Sequence, residues 1–443
     1  MKDSILEIKN FGPISEAKIE IAKINVVAGV NASGKTTSSK ILYSFLAAAS
    51  TEGQNIYFNN MKKSIHSLSR GLLNSIDVDM IDSHLIDLSN RFEQLKFSKK
   101  SPIKQVEKTL KNLKNIAKGE NINSNKLEDM FREVLEYFTK WENPDLRKLD
   151  IFSMILFDEF AKDDEFFNDD VLKSSLSFYE KDQNLMLGRS KPFKMMTDFF
   201  SDWIPVNDIF YIETPYIFDF SKYDDVKFQD HFYNREYDDD RFTYHQKSLI
   251  NKIYHKKPLN WKFSNDKQGK NPLEMIDKII FGHFSNKGMN KNEIRFQQCD
   301  KSFHVKNTAA GIKIIALIKL LLEKGLDTNS FIIMDEPEVH LHPDWQITLA
   351  EIVVVLSKKW DMRFYINTHS PHFIEAIEVY SKRYDLDHET NFYLTEIDEN
   401  SHDCLNKFIM VKIEKEDLFI LYKNLGRSYD VLDEVSIDNS LWK

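Results

Sequence analysis

The sequence predicts an α/β fold split by a large helical insertion. Three observations carry this expectation. A strand–glycine loop–helix unit lies near the N-terminus, and two apolar strands with polar ends lie between residues 331 and 368. The long stretch between them is rich in helical runs and poor in strands. The expected organisation is a head in two parts, residues 1–60 and 206–443, with the helical insertion at 61–205.

The chain has 443 residues, 42% of them apolar and 29% charged, with a formal net charge of −9. Such a composition suits a folded chain of two or three domains and excludes a disordered or low-complexity one. The mild acidic excess argues against a histone-like, wholly electrostatic binder of DNA. Cys299 and Cys404 are too few for a disulfide framework and suit a reducing compartment. Apolar runs such as Ile352–Leu356 fall far short of the ~20 residues a membrane helix needs. The first residues, Met-Lys-Asp-Ser-Ile-Leu-Glu, lack the apolar stretch of a secretory signal. The expectation is a soluble, cytoplasmic protein with no membrane partner.

Residues Ile5 to Ile8 and Ala17 to Ile21 are short, alternating and β-branched on either side of Gly12-Pro13, which predicts two strands and a turn. Ile24 to Ala28 is more continuously apolar, as a buried strand is. Gly29-Val30-Asn31-Ala32-Ser33-Gly34-Lys35-Thr36 follows, a full G-x-x-x-x-G-K-[ST], and then Thr37 and a helix-compatible run to Ala49. The spacing has a physical reason. The glycines let successive N–H groups point into one concavity, and the next helix aims its positive end at the same place. In such a loop Lys35 bridges the β- and γ-phosphates of a nucleotide and the Thr36 hydroxyl ligates Mg²⁺. Gly29, Asn31, Ser33, Gly34, Lys35, Thr36 and Thr37 are therefore the candidate phosphate-binding residues.

Phe331 to Met334 is an apolar strand ending in Asp335-Glu336. Asp335 there can face the Mg²⁺ and Glu336 can polarise an attacking water, although many ordinary strands also end in carboxylates. Met362 to Asn367 repeats the pattern and ends in Thr368-His369-Ser370-Pro371. His369 can bond a γ-phosphate or be a plain loop histidine. Before these strands stands Asn307-Thr308-Ala309-Ala310-Gly311-Ile312-Lys313, in which Asn307 or Thr308 can cap a helix with apolar positions Ile312, Ile315, Ile318 and Leu322. Its small residues leave the first turn open to an anion, with Lys313 adding charge; an ordinary capped amphipathic helix reads the same way. Each signal is weak alone, and their fixed order makes nucleotide binding the expectation.

Together these strings resemble the ABC-class ATPases of the OLD/RecF/SMC-like branch, most of all stand-alone bacterial ATPases of phage-defence systems. The resemblance covers residues 1 to about 50 and about 270 to 380. Gly29–Thr37 resembles that family's Walker A, Asp335–Pro343 its Walker B and D-loop, and Thr368–Pro371 its His-switch; Asn307–Lys313 resembles a degenerate signature motif without the L-S-G-G core. It implies a P-loop head of ABC type, a mixed sheet flanked by helices, with ATP and Mg²⁺ as cofactors. It also implies a homodimer or higher oligomer, in which Asn307, Thr308, Ala310, Gly311 and Lys313 of one head cap the nucleotide on the other. Glu336 would be the general base and His369 the γ-phosphate sensor, with Thr36 and Asp335 on the metal. The Q-loop has no obvious place: Gln54 lacks a preceding strand, and Glu213, after the strand-like Asp208–Ile212, is the preferred equivalent. His340 and His342 suit loop shaping better than metal ligation.

Between the head parts, Lys126–Trp141 and Pro144–Glu165 have helical periodicity, and no heptad run is long enough for a coiled-coil arm. Lysines 96, 99, 100, 104, 108, 111, 114 and 118 form one basic cluster. Lys252, Lys256, Lys257 and Lys262 with Tyr254 and Trp261 form another, so DNA or RNA is an open partner beside the plain alternative of a solvated face. The acidic runs 158–170 and 238–240 are solvated surface or partner docking. Only 72 residues follow Pro371, fewer than the roughly 100 of a small domain such as the Toprim nuclease of OLD enzymes. Two expectations of function follow. One is an ATPase that dimerises on ATP and controls a separate effector, a nuclease, in anti-phage defence. The other is a RecF/SMC-like clamp on DNA. A module that merely holds ATP is a third possibility, and Glu336 argues against it.

Overall fold

The computed structural model describes residues 4–73, 78–95, 103–119, 125–141, 143–160, 175–180, 187–188, 208–213, 242–255, 271–280, 282–285, 294–323, 326, 329–400 and 407–426. The chain forms two compact units. One gathers Met1–Leu46 with most of the chain from Leu156 onward, and the other centres on Ala47–Ile155.

The first unit is built on a ten-stranded mixed sheet. Its opening strands are β1 (Ser4–Phe11), β2 (Ile14–Ile21) and β3 (Ile24–Ala28). Next come β4 (Ser175–Glu180), β5 (Leu187–Gly188) and β6 (Ile209–Ile212). Strands β7 (His283–Ser285), β8 (Arg295–Gln298) and β9 (Lys301–His304) make a separate three-stranded sheet. The last strands are β10 (Phe331–Asp335), β11 (Arg363–Thr368), β12 (Thr390–Ile397) and β13 (Phe408–Ile413). The order across the large sheet is β5-β4-β1-β2-β13-β12-β3-β11-β10-β6. Strands β6, β10, β11, β3 and β12 are mutually parallel, and β1 with β2 and β4 forms an antiparallel wing. Every residue of β3 and β10 is buried, which is why both read as continuous apolar runs rather than alternating ones.

Helix α1 (Lys35–Ala49) leaves β3 through the glycine loop. The helices α7 (Tyr244–His255), α8 (Pro272–Ile280), α9 (Ala310–Glu323), α10 (Pro343–Trp360) and α11 (Pro371–Arg383) complete the layers. Residues such as Ile315, Leu349, Val353 and Phe373 pack with Val26, Ile332 and Ile366 of the sheet in one core. This is the mixed, helix-flanked sheet that the family resemblance implies.

The second unit holds α2 (Thr51–Leu73), α3 (Val78–Leu95), α4 (Ile103–Gly119) and α5 (Asn125–Trp141). α2 packs against α3 and α5, and α4 against the same two, so the four close into a bundle. Met61, Ile65, Leu68 and Leu72 recur at helical spacing on α2 and meet Val106, Leu110, Leu113, Val134 and Phe138 in a core of their own. α6 (Pro144–Glu159) follows, and the division between the units falls within α1 and within α6.

Two findings differ from the sequence-based division. The helical unit starts near Ala47 rather than at residue 61. Strand β4 lies inside the stretch taken as strand-poor, yet it belongs to the head's sheet, paired antiparallel with β1. Its six residues, Ser-Leu-Ser-Phe-Tyr-Glu, alternate polar and apolar too briefly to stand out from their surroundings. Lys96, Lys99, Lys100, Lys256, Lys257, Trp261, Lys262, Cys404, residues 161–170 and residues 238–240 lie outside the described residues.

Candidate active site

Parallel strands bring their carboxyl ends to one edge, and the loops there are where α/β sheets place ligands. Register sets the order: Ile212 pairs with Met334, Asp335 with Asn367, and Thr368 with Ala28, which also pairs with Leu394. Glu213, Glu336, His369, Gly29 and Thr395 are the next residues along their respective strands or loops, so residues far apart in the chain share this edge.

The loop Gly29–Gly34 bends through three positive φ angles, 151° at Gly29, 61° at Ala32 and 90° at Gly34. A Cβ on Gly29 would lie 1.7 Å from Thr395 Oγ1, and one on Gly34 2.5 Å from Ile14 Cγ1, so conformation and space both require glycine. Thr395 donates to Ser33 Oγ at 2.8 Å and fixes the loop's tip, while Asn31 is exposed and Thr37 is buried on α1. Beneath α1, Ser38 Oγ pairs with Tyr365 OH at 2.7 Å and Ser39 Oγ with Tyr211 OH at 2.8 Å. The helix that carries Lys35 and Thr36 is thereby bonded to β11 and β6.

Lys35 Nζ donates to the carbonyls of Gly29 at 3.1 Å and Val30 at 2.8 Å and meets His369 Nε2 at 3.0 Å. Burial pulls its pKa down to about 8, against the raising influence of Glu336, Asp335 and Glu338. Thr36 Oγ1 donates to Asp335 Oδ2 at 2.7 Å, and Asn367 Nδ2 donates to Asp335 Oδ1 at 2.8 Å. Burial raises the Asp335 pKa, which these two bonds oppose. A hydroxyl and a carboxylate held together are hard oxygen donors of the kind Mg²⁺ takes while keeping several waters. Among the described residues Asn367 Oδ1 has no hydrogen-bond partner, and it is buried beside them. The donor set fits a small divalent cation.

Glu336 has a φ of 50°, an uncommon value for a residue with a Cβ, and its N–H donates to the Asn367 carbonyl at 2.9 Å. Its Oε1 lies 2.8 Å from His369 Nε2, the same ring nitrogen that meets Lys35. That nitrogen can donate to Glu336 or accept from Lys35, one at a time, so the two hydrogen bonds are alternatives. Glu338, not singled out as a site residue from sequence, holds the histidine loop. Its Oε1 accepts from Thr368 Oγ1 at 2.6 Å and from the N–H groups of His369 at 2.8 Å and Ser370 at 3.2 Å. A carboxylate two residues after Glu336 and a buried Asn within an apolar strand were the available signals for Glu338 and Asn367.

A family profile described as "AAA ATPase domain" matches residues 1–374, most of the chain. The chain belongs to that family. It is an ATPase, and its domain binds nucleotide. Solved structures to which it is similar include the Smc head domain with an extended coiled coil bound to the C-terminal domain of ScpA, from Pyrococcus furiosus, at 9% identity and a TM-score of 0.32, covering 98% of each chain. Another is the SMC head domain from Thermotoga maritima, at 10% identity and a TM-score of 0.33, covering 94% of this chain and 100% of that one. A third, from Pyrococcus yayanosii, is a Smc head domain with a coiled coil and joint, at 10% identity and a TM-score of 0.36, covering 96% and 99%.

In this ATPase neither Asn307 nor Thr308 serves as the helix cap that their residue types predict. Asn307 ends a short 3₁₀ turn and Thr308 Oγ1 donates back to the Val305 carbonyl at 2.6 Å, so neither caps α9. The Lys313 N–H bonds the Ala309 carbonyl, which moves the cap position to Ala309. Ala310 opens the helix, Gly311 packs where a Cβ would sit 2.6 Å from the His340 carbonyl, and Lys313 is only 5% exposed. No hydrogen bond among the described residues joins Asn307, Thr308, Ala310 or Gly311 to the Lys35–Thr36–Asp335–Glu336–His369 cluster. His342 accepts from the Asp344 N–H at the start of α10 and His340 has a φ of 68°, so both shape the loop after β10. Gln54 lies within helix α2, away from any strand end in sequence, whereas Glu213 directly follows β6. Lys252, read from sequence as part of a basic cluster, is occupied by Asp208 at 3.0 Å and lies over the Phe210 ring. Among the described residues no helix is long and apolar enough to cross a membrane.

Proposed function

We propose that this ATPase dimerises on ATP and, in that state, controls a partner effector, a nuclease, in bacterial anti-phage defence. The observation that carries the switch is the convergence of Lys35, Glu336 and His369 beside the Thr36–Asp335 pair. Lys35 and the N–H groups of Gly29–Thr37 bind the phosphates. Thr36 and Asp335 would hold Mg²⁺, which when bound neutralises charge developing on the phosphate oxygens. Glu336 takes the proton of the attacking water, and His369 reports the γ-phosphate by exchanging its bond to Glu336 for one to the nucleotide. Glu338 keeps the His369 loop in place while this happens.

Dimerisation is supported by the rim of the site. Val30 is 57% and Val339 40% exposed, and Asn31 and Asn307 stand open to solvent beside phosphate-binding and signature-like turns. Control of an effector in defence rests on the likeness of the E-P-E-V-H-L-H-P and T-H-S-P strings to stand-alone defence ATPases. The test is the solution mass of Glu336→Gln with and without Mg-ATP, and of any polypeptide that travels with it. An ATP-dependent doubling, absent in Lys35→Ala, is expected; an unchanged mass would overturn the dimer.

One observation favours the clamp on DNA. Lys104, Lys108, Lys111 and Lys118 recur at helical spacing on α4 and are all exposed, a basic stripe suited to phosphates. A binding titration with duplex DNA over a salt series separates the two. Steep salt-dependent loss of affinity in the ATP form supports the clamp, and no binding at low salt removes it.

A further inference from the structure

A second group of buried charges lies at the same sheet edge and has no part in the chemistry above. His245, in the first turn of α7, is 1% exposed and faces carboxylates with both ring nitrogens. Nδ1 is 2.5 Å from Glu159 Oε2, and Nε2 is 3.2 Å from Glu213 Oε2. The His245 N–H donates to the other Glu159 oxygen at 2.8 Å. The Tyr211 ring covers the imidazole at 4.3 Å between centroids, and Tyr43 meets it edge-on at 6.0 Å. An ordinary core histidine donates from one nitrogen and accepts at the other. Here Nδ1 also meets Thr243 Oγ1 at 3.0 Å, and the two carboxylates, one at each ring nitrogen, are satisfied together by the imidazolium. Burial alone would lower the pKa, and the two carboxylates overcome it and raise it to about 9.

Glu213 is the member that reaches the active site. Ile212 pairs with Met334, so Glu213 stands beside Asp335 at the strand ends. Its Oε2 is held by His245 and by Gln246 Nε2 at 3.3 Å, while Oε1 has Lys40 Nζ at 3.8 Å. Lys40 lies four residues after Thr36, on the same face of α1. Thr36, Asp335 and Glu213 therefore converge from three elements. Both Glu213 oxygens are already engaged by His245, Gln246 and Lys40, which suits a place in the outer shell of a cation rather than on it.

The geometry points to His245 as a positioning residue of the ATPase: anchored by Glu159, it holds the Glu213 carboxylate beside Asp335 to order the water shell of the nucleotide's divalent cation. The inference rests on the assignment of Thr36 and Asp335 to that cation. Outer-shell groups of this kind orient bound waters and tune affinity without touching the ion. A buried cation between two carboxylates is a poor strap in itself, because desolvation offsets most of the Coulombic gain. Its use is to fix one carboxylate in place.

The test titrates Mn²⁺ into the ADP complex of the full chain, read by electron paramagnetic resonance, with ADP affinity in EDTA and thermal unfolding measured alongside. Glu213→Gln and His245→Gln should each weaken Mn²⁺ binding about tenfold or more, with ADP affinity in EDTA within about twofold of wild type. A plain strap would lower the unfolding temperature and leave Mn²⁺ affinity alone, and that result in a folded Glu213→Gln overturns the inference. Should His245→Gln fail to fold, Glu213→Gln decides, because it keeps the side chain's shape at a partly exposed position while removing its charge and one acceptor oxygen. Asp335→Asn identifies the level of any failure: if it too leaves Mn²⁺ affinity intact, the cation assignment falls and the inference with it. A loss in Asp335→Asn but not in Glu213→Gln overturns the inference alone.

Discussion

Lys35 is the residue on which the site's charge balance turns. Its pKa of about 8 leaves it mostly protonated at pH 7, while bound phosphates favour the ammonium strongly. With Lys35 in its proposed phosphate-binding role, nucleotide binding takes up a proton above pH 8, and ATP affinity should fall by about tenfold per pH unit there. A Kd series from pH 7 to 9.5 checks this, and Lys35→Ala should lack the slope. His245 provides a pH effect on stability with its own sign. Its folded pKa of about 9 exceeds the ordinary 6.5, so its contribution is fully present below pH 6.5 and is lost as pH rises towards 9. Glu213 is the mirror case: held down to about 2 by His245 and Lys40 despite burial, it loses its contribution only as pH falls from 4.5 towards 2. Unfolding temperatures of wild type and His245→Gln between pH 6 and 9 should converge as pH rises. Glu338 is tested by Glu338→Ala, which strands one hydroxyl and two N–H groups; a stability loss of about 1–3 kcal/mol is expected, with reduced turnover from a misplaced His369. Denaturant unfolding and kcat measure the two effects. Of these residues, Lys35, Glu336 and His369 were legible in sequence because their neighbours form motifs. Glu159 and His245 were not, since residues 86 apart carry no local signal of their contact.

Among the elements, the turn after β10 and the start of α9 depend on each other through Gly311. A methyl there would press on the His340 carbonyl at 2.6 Å, and that carbonyl belongs to a residue already at positive φ. Gly311→Ala should destabilise the protein by about 1–3 kcal/mol through overpacking, read by denaturant unfolding. The consequence for interface tests is direct: Gly311→Glu would disturb the fold as well as any trans contact, so an exposed residue such as Asn307 is the better probe of dimerisation. The first turn of α9 also shows why its cap was misread. Asn307 and Thr308 are good capping residues by type, but the 3₁₀ turn at Val305–Asn307 uses the Thr308 hydroxyl first. Strands β3, β10 and β11 were readable because full burial removes polar residues from them. β4 was not, because a short wing strand owes its place to pairing with β1 at a separation of about 170 residues.

For the whole molecule, two hydrophobic cores imply two cooperative units. Phe138→Ala in the helical bundle should remove about 3–5 kcal/mol from that unit and leave ATP affinity unchanged. Biphasic unfolding with only one phase shifted is the expected result, checked by calorimetry together with a nucleotide titration.

Nucleotide binding, the α/β fold class and the order of the motifs are legible in the sequence alone. These follow from local rules: glycines where φ is positive, apolar runs where strands are buried, and polar residues where those strands end. Tertiary structure alone decided that β4 joins the head, that Thr308 turns away from its helix, that Glu338 holds the His369 loop, and that Glu213 is clasped by His245 and Glu159. Each depends on groups brought together by strand register and helix packing, and the free energy of such contacts resides in three-dimensional proximity, which one-dimensional spacing does not encode.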